Sequence, residues 1–212
     1  MTGTPLVSAP VLGFDLDMTL VDSRPGLVDT LAVLERECEE PRPAHPGTVD
    51  ALFASNVDME FAKWFGAERA PGLADRFREI YATVGVVGTG ILPGAREAVA
   101  TARAAGVHVI VVTAKFGPNA VRCLDHVALE VDGVFGRLHG TQKSEVLRAH
   151  HAFAYLGDTT ADMVAAHAAG ATAVGVATGP AAADDLWAAG AEVVLSSLAE
   201  FPAWWATSRP PS

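Results

Sequence analysis

The stretch VLGFDLDMTL, residues 11–20, runs an unbroken apolar segment straight into two aspartates, Asp15 and Asp17, followed by Thr19. An apolar run without polar alternation suits a strand covered on both faces of a parallel sheet. In extended backbone, residues two apart point the same way, so both carboxylates can face one crevice beyond the strand. Taken alone, the pair is equally a polar strand end whose acids cap turns.

Further short apolar runs occur at 107–112, 153–156, 172–176 and 192–195, with helical patterns between them at 94–105, 118–128, 144–149 and 161–169. Gly106 and Gly170 sit where a helix end favours a left-handed residue. Strands alternating with helices give an α/β fold, a doubly wound parallel sheet whose ligand crevice lies at the carboxyl ends of its strands. Residues 23–88 break that rhythm. Leu27, Val28, Leu31 and Leu34 recur at helical spacing, more helix is expected near 58–65 and 73–82, and the loop plus helix ASNVDMEFAKWFG spans 54–66. The proline-rich PRPAHPG, 41–47, punctuates the first helix from the rest. The expected organisation is a discontinuous core of 1–22 and 89–205, a small inserted helical cap of 23–88, and a tail of 206–212. Near that tail, Trp204 and Trp205 are expected to pack on the core or a partner.

Half of the 212 residues are hydrophobic, 19% are charged, and the net charge is −10. A compact protein fits these values, whereas a general nucleic-acid or anionic-membrane partner does not, for want of excess Lys and Arg. A small phosphorylated metabolite stays compatible, since a few local cations can reverse the potential of one pocket. Cys38 and Cys123, the only cysteines, form no metal or disulfide pattern, so a reducing cytoplasm is expected. The N-terminus has neither the basic start nor the apolar core of a signal peptide, and no run approaches the ~18 apolar residues of a membrane span.

Four other residues fall at or near strand ends. Thr113 closes VHVIVVT, Lys143 precedes a helix in GTQKSEVL, and Asp158 and Asp162 stand in the turn and helix start of GDTTADM. Each has an ordinary alternative: a terminal threonine, a solvated lysine, a cap and a first-turn acid. Lys115, two residues beyond Thr113, competes with Lys143 for the place of a site lysine. The seven histidines form no metal-binding spacing; His108 reads as a packed strand residue and His150–His151 as a helix end.

With these residues in this order, the chain resembles the haloacid-dehalogenase superfamily, in particular its phosphoglycolate-phosphatase-like members. Asp15, Asp17 and Thr19 match the first motif, Thr113 the second, Lys143 the third, and GDTTAD, 157–162, the fourth. The resemblance implies a Rossmann-like core with an inserted helical cap. It implies Asp15 as nucleophile, forming a phospho-aspartate, and Asp17 as general acid and then base. Metal ligands would be the Asp15 and Asp158 carboxylates and the Asp17 backbone carbonyl, with Asp162 in support. Thr113, Ala114 and Lys143 would contact the phosphoryl group. A phosphate dianion amid these acids demands a cation, because each like-charge pair at ~4 Å costs about 4 kcal/mol at an effective dielectric of 20. Oxygen ligands without a Cys or His cluster point to Mg²⁺.

In the cap, Asn56 and Ser55, and with them Lys63 or Arg24, are candidates for contacting the leaving group. Asp17 and GDTTAD weigh against a dehalogenase. A phosphomutase on the same core, and a phospho-acceptor regulatory domain, stay as alternatives, the second opposed by the long insertion after the first strand.

Overall fold

A computed structural model describes residues 9–38 and 48–208. Residues 1–8, the proline-rich 41–47 and the last four residues of the tail lie outside the described residues. The strands are β1 (Val11–Phe14), β2 (Val21–Asp22), β3 (Gly90–Ile91), β4 (His108–Val112), β5 (Gly133–Phe135), β6 (Ala152–Gly157), β7 (Thr172–Val176) and β8 (Val193–Leu195). Six of them form one parallel sheet in the order β5-β4-β1-β6-β7-β8. The chain moves from β1 toward β4 and β5, then crosses to β6 on the other side of β1. Such a reversal opens a crevice at the carboxyl ends of the central strands.

The helices are α1 (Arg24–Cys38), α2 (Thr48–Ala54), α3 (Val57–Phe65), α4 (Ala70–Ile80), α5 (Ala95–Ala104), α6 (Gly117–His126), α7 (Thr141–Ala149), α8 (Thr160–Ala169), α9 (Ala183–Ala188) and α10 (Phe201–Thr207). Both faces of the sheet are covered. Along β4, Val109 and Val111 join a cluster with Leu12, Phe14, Leu156 and Ala98, while Ile110 and Val112 join Tyr155, Leu147 and Met163 on the other face. Strand side chains alternate between faces, so a strand buried on both must be apolar throughout. Residues 109–112 have that character. Trp204 is buried in the first cluster, and α10 is anchored to the sheet where Phe201 meets Phe14 of β1 at 6.2 Å and Trp205 meets Phe153 of β6 at 6.3 Å. Among the described residues no helix is long and apolar enough to cross a membrane.

Helices α1–α4 lie between β2 and β3, and these two short strands pair antiparallel, Val21 with Ile91 and Asp22 with Gly90. The two ends of the insertion therefore leave the core side by side. It has a core of its own, built from Leu27, Leu31 and Leu34 of α1 with Phe61, Phe77, Ile80 and Tyr81. After α4 the chain continues as one π-helical turn, Tyr81–Gly85. The first turn of α1 presses on this turn so closely that a Cβ on Gly26 would lie 2.1 Å from the Gly85 carbonyl oxygen.

One local reading changes, and two elements stand where none was expected. His108 is exposed rather than packed, because it is the first residue of β4 and stands at the margin of the sheet; its ring lies 3.8 Å from Asp132. Strand β5 is only three half-buried residues, too short to carry a period. Residues 48–54, whose Val49, Leu52 and Phe53 fall at helical spacing and pack into the insertion's core, form α2, so only Ser55 and Asn56 separate it from α3.

The Gly26 contact gives a paired test by thermal or urea unfolding. Gly26→Ala is expected to destabilise the protein by about 1–3 kcal/mol, as overpacking does. Gly72→Ala in α4, where nothing lies within 4 Å of an added Cβ, is expected to be neutral or to stabilise by up to about 1 kcal/mol.

Candidate active site

The loop after β1 is knotted about one carbonyl. The Asp15 amide extends the sheet by donating to the Leu156 carbonyl at 2.8 Å, and the amides of Thr19, Leu20 and Val21 all donate to the Leu16 carbonyl, at 3.3, 2.9 and 3.0 Å. Between them, Met18 takes φ 59°, a left-handed conformation uncommon outside glycine and frequent at functional turns. Leu16 is fully buried, while Asp15 and Asp17 on either side of it line the cleft.

The neighbouring strand end supplies two more acids. Strand β6 ends at Gly157, Asp158 follows, and Thr159 caps α8 with Asp162 in a reciprocal capping box. Thr19 donates to Asp158 Oδ1 at 2.9 Å, tying the β1 loop to the β6 loop. Asp158 packs so tightly on residue 179 that a Cβ there would lie 1.7 Å from Asp158 Oδ2; only glycine fits.

Lys143, in the first turn of α7, reaches beneath these acids. Its ammonium lies 2.7 Å from Asp162 Oδ1 and 3.2 Å from Asp15 Oδ1, and donates to the Tyr155 hydroxyl at 3.1 Å. Tyr155 in turn donates to the Val112 carbonyl at 2.7 Å. Lys115 has different partners: it donates to Asp17 Oδ1 at 2.8 Å and to the Tyr81 hydroxyl at 2.9 Å, and Ser23 Oγ donates to the same Asp17 oxygen at 2.6 Å. The two candidate lysines thus both belong to the site and serve different aspartates.

One lysine does not balance the acids around it. Burial, aided by the Asp162 and Asp17 charges and opposed by Lys143, raises the Asp15 carboxyl to about 6. Burial and the Asp15 and Asp162 charges push Asp158 well above the carboxylate range. Asp15 Oδ1 is buried with no hydrogen-bond partner, although the Lys143 ammonium is at ion-pair distance. Oxygens of Asp15, Asp158 and Asp162 lie within 4.8 Å of one another. A crowded, all-oxygen acidic set with an orphaned buried atom fits a hard divalent cation. Asp162 is the least available of the trio, because both its oxygens already accept hydrogen bonds, Oδ1 from Lys143 and Oδ2 from Thr159. The Asp17 carboxylate stands outside the trio.

Thr113 and Ala114 line the cleft just beyond β4, and Ser55 and Asn56 line it from the insertion. Asn56 Oδ1 is used to cap α3, accepting from the Met59 amide at 2.9 Å. Lys63 pairs with Glu60 at 2.6 Å and Arg24 with Asp50 at 2.5 Å, and neither lines the cleft. The insertion and the sheet's loops also meet at Arg78 and Arg137, which share Asp58 and both lie over the Phe116 ring. Tyr81, Ser23 and Tyr155 escaped the sequence reading; the tyrosines sit in apolar or helical patterns that say nothing of their polar tips, and Ser23 is a linker residue between β2 and α1.

A family model described as haloacid dehalogenase-like hydrolase matches residues 10–170. A phosphoglycolate phosphatase from Mannheimia succiniciproducens is 27% identical over 194 residues, covering 80% of this chain and 86% of that protein. A haloacid dehalogenase-like family hydrolase from Streptococcus pneumoniae superposes with TM-score 0.79 at 19% identity, covering 94% of this chain and 100% of that one. A β-phosphoglucomutase from Clostridium difficile gives TM-score 0.70 at 15% identity, covering 91% and 92%. These two likenesses are ones of fold.

The buried lysine provides the test of the site's electrostatics. Lys143→Met strands Asp15 and Asp162 without their common partner, and removing one member of a buried ion pair costs about 3–5 kcal/mol. Urea unfolding of the metal-free protein is expected to register a loss of that order.

Proposed function

Because this chain belongs to the haloacid dehalogenase-like hydrolases, we propose that it is a Mg²⁺-dependent phosphatase that hydrolyses a small phosphate monoester through a phospho-aspartate on Asp15. The observation that carries this reading is the different settings of the two cleft aspartates. Asp15 lies buried against Lys143 in the acidic trio, and Asp17, outside the trio, is held by Ser23 and Lys115.

In the first step an Asp15 carboxylate oxygen attacks phosphorus and the ester P–O bond breaks. Its electron pair stays on the leaving oxygen, which takes a proton from Asp17 and departs as the alcohol. Asp17, now a carboxylate, then takes a proton from water as that water attacks the phospho-aspartate. The P–O bond to Asp15 breaks and inorganic phosphate leaves. One residue acts as acid and then as base. Thr113 and Ala114, beyond β4, bind phosphoryl oxygens, and Lys143 neutralises charge on the phosphate and Asp15. Asp15 and Asp158, with the Asp17 backbone carbonyl as the resemblance implies, would hold Mg²⁺, and Asp162 would support them. When bound, the ion supplies positive charge against the phosphate and the acids.

Helices α1–α4, within 23–88, act as a cap over the cleft, where Ser55 and Asn56 meet the leaving group; closing such an element excludes water. The relative's name makes phosphoglycolate the first substrate to try. Phosphomutase activity on the same core differs in its product, a phosphate moved between sugar positions rather than released.

Phosphate release from p-nitrophenyl phosphate tests the core reading. It is expected to require Mg²⁺ and to fall by about 10³-fold or more in Asp15→Asn. Activity in chelator, or full activity of the variant, would contradict it.

A thermal-shift series tests the cation site separately. Burial pushes the Asp15 carboxyl up to about 6 in the folded chain, from an ordinary value of 3.8. Ionising it in the fold therefore costs stability, a cost absent below 3.8 and fully present above 6. The ionised form is the one that would hold Mg²⁺, and holding it would offset that cost. The Tm gain from Mg²⁺ is expected to be large near pH 7.5 and to fade below pH ~6.

A further inference from the structure

We infer that Lys115 and Tyr81 are positioning residues for Asp17, and that through them the seating of the helical insertion governs the geometry of the acid–base group; the inference rests on the phosphatase reading above. Lys115 belongs to the loop after β4, yet its ammonium is almost wholly enclosed, with 8% of the side chain exposed. A buried ammonium is tolerated only with partners that replace water. Here they are Asp17 Oδ1 at 2.8 Å, the Tyr81 hydroxyl at 2.9 Å, and the face of the Tyr81 ring, with Nζ 4.0 Å from its centroid. The ammonium therefore bridges a residue of the sheet's first loop to a residue of the insertion.

Tyr81 is itself fixed. It is 1% exposed, its hydroxyl lies 3.2 Å from Thr89 Oγ1, and Thr89 is bonded to the Gly85 carbonyl at 2.9 Å. It opens the π-helical turn, a feature that re-aims side chains and recurs at functional sites. The ring rests where a side chain on residue 85 would be: a Cβ on Gly85 would lie 2.3 Å from Tyr81 Cδ2. Residue 85 is the one whose carbonyl meets Gly26 at the start of α1. Tyr81 is thus clamped at the root of the insertion, next to both connections to the core. The first connection adds a second hold, since Ser23 donates to the same Asp17 oxygen.

Both donors land on Oδ1. That pins the carboxyl by one oxygen and leaves Oδ2 to exchange the proton with the leaving oxygen or the attacking water. Small errors in such placement are costly, because proton transfer requires hydrogen-bond reach. A shift of the insertion relative to the sheet moves Tyr81, and with it Lys115 and Asp17. The acid–base group is set by the seated insertion rather than by its own loop alone.

The test compares kcat/KM for two esters, which reports only the steps through loss of the alcohol. p-Nitrophenyl phosphate has a leaving group that needs little protonation, and propyl phosphate has one that needs it fully. In Tyr81→Phe, which removes only the hydroxyl, and in Lys115→Met, the propyl phosphate value is expected to fall at least about tenfold further than the p-nitrophenyl value. Equal losses on both esters would mean a merely structural role and overturn the proposal, as would no loss on either. A wild type that releases phosphate from neither ester, or an Asp15→Asn variant that keeps its activity, would overturn the phosphatase reading and the proposal with it.

Discussion

Carboxylates brought together at the ends of two adjacent strands repel one another, and the site is organised around that repulsion. Oxygens of Asp15, Asp158 and Asp162 lie within 4.8 Å of one another in a buried setting. Lys143 is the ammonium that reaches two of them, and Thr19 supplies a hydrogen bond to the third. The remaining imbalance raises the Asp15 and Asp158 carboxyls. An arrangement of this kind is costly for a protein that does no more than fold. It becomes useful when a cation and a phosphate dianion share the space, each answering the charge of the other.

The fold pays for this crowding with rigidity around it. The Leu16 carbonyl gathers three amides, Asp162 is locked in the capping box of α8, and Gly179 gives way to the Asp158 carboxylate. The second lysine shows the same logic at lower density. Lys115 answers Asp17 from the opposite wall, and its other partner comes from the insertion. Asp15 and Asp17 therefore have separate ammonium partners: one anchored wholly in the core, the other shared between the core and the helices inserted into it.

How much of this is legible in the sequence depends on the range of the interaction. Runs such as 107–112 announce a parallel strand, because burial on both faces forbids polar alternation. Asp15, Asp17, Asp158 and Asp162 are legible through their order at strand ends. The choice between Lys143 and Lys115 is not legible, because it turns on which aspartate each ammonium meets, at sequence separations of 128 and 98 residues. Tyr81 is invisible for a related reason: its ring continues the apolar stripe of α4, and only the π-helical turn directs its hydroxyl to the site. His108 misleads because a strand's first residue shares its neighbours' sequence context without their burial. Asn56 shows the converse, a cleft residue whose acceptor is already committed to a helix cap.

The central claim is that Asp15 becomes covalently phosphorylated during turnover, and acid-quench peptide mapping addresses it most directly. The protein is mixed with ³²P-labelled p-nitrophenyl phosphate and Mg²⁺, quenched in acid within the first turnover, digested, and its peptides analysed by mass spectrometry. The account predicts label on the peptide that carries Asp15, as an acyl phosphate released by hydroxylamine. Label on another residue, or continued turnover with no labelled peptide at any quench time, would contradict it.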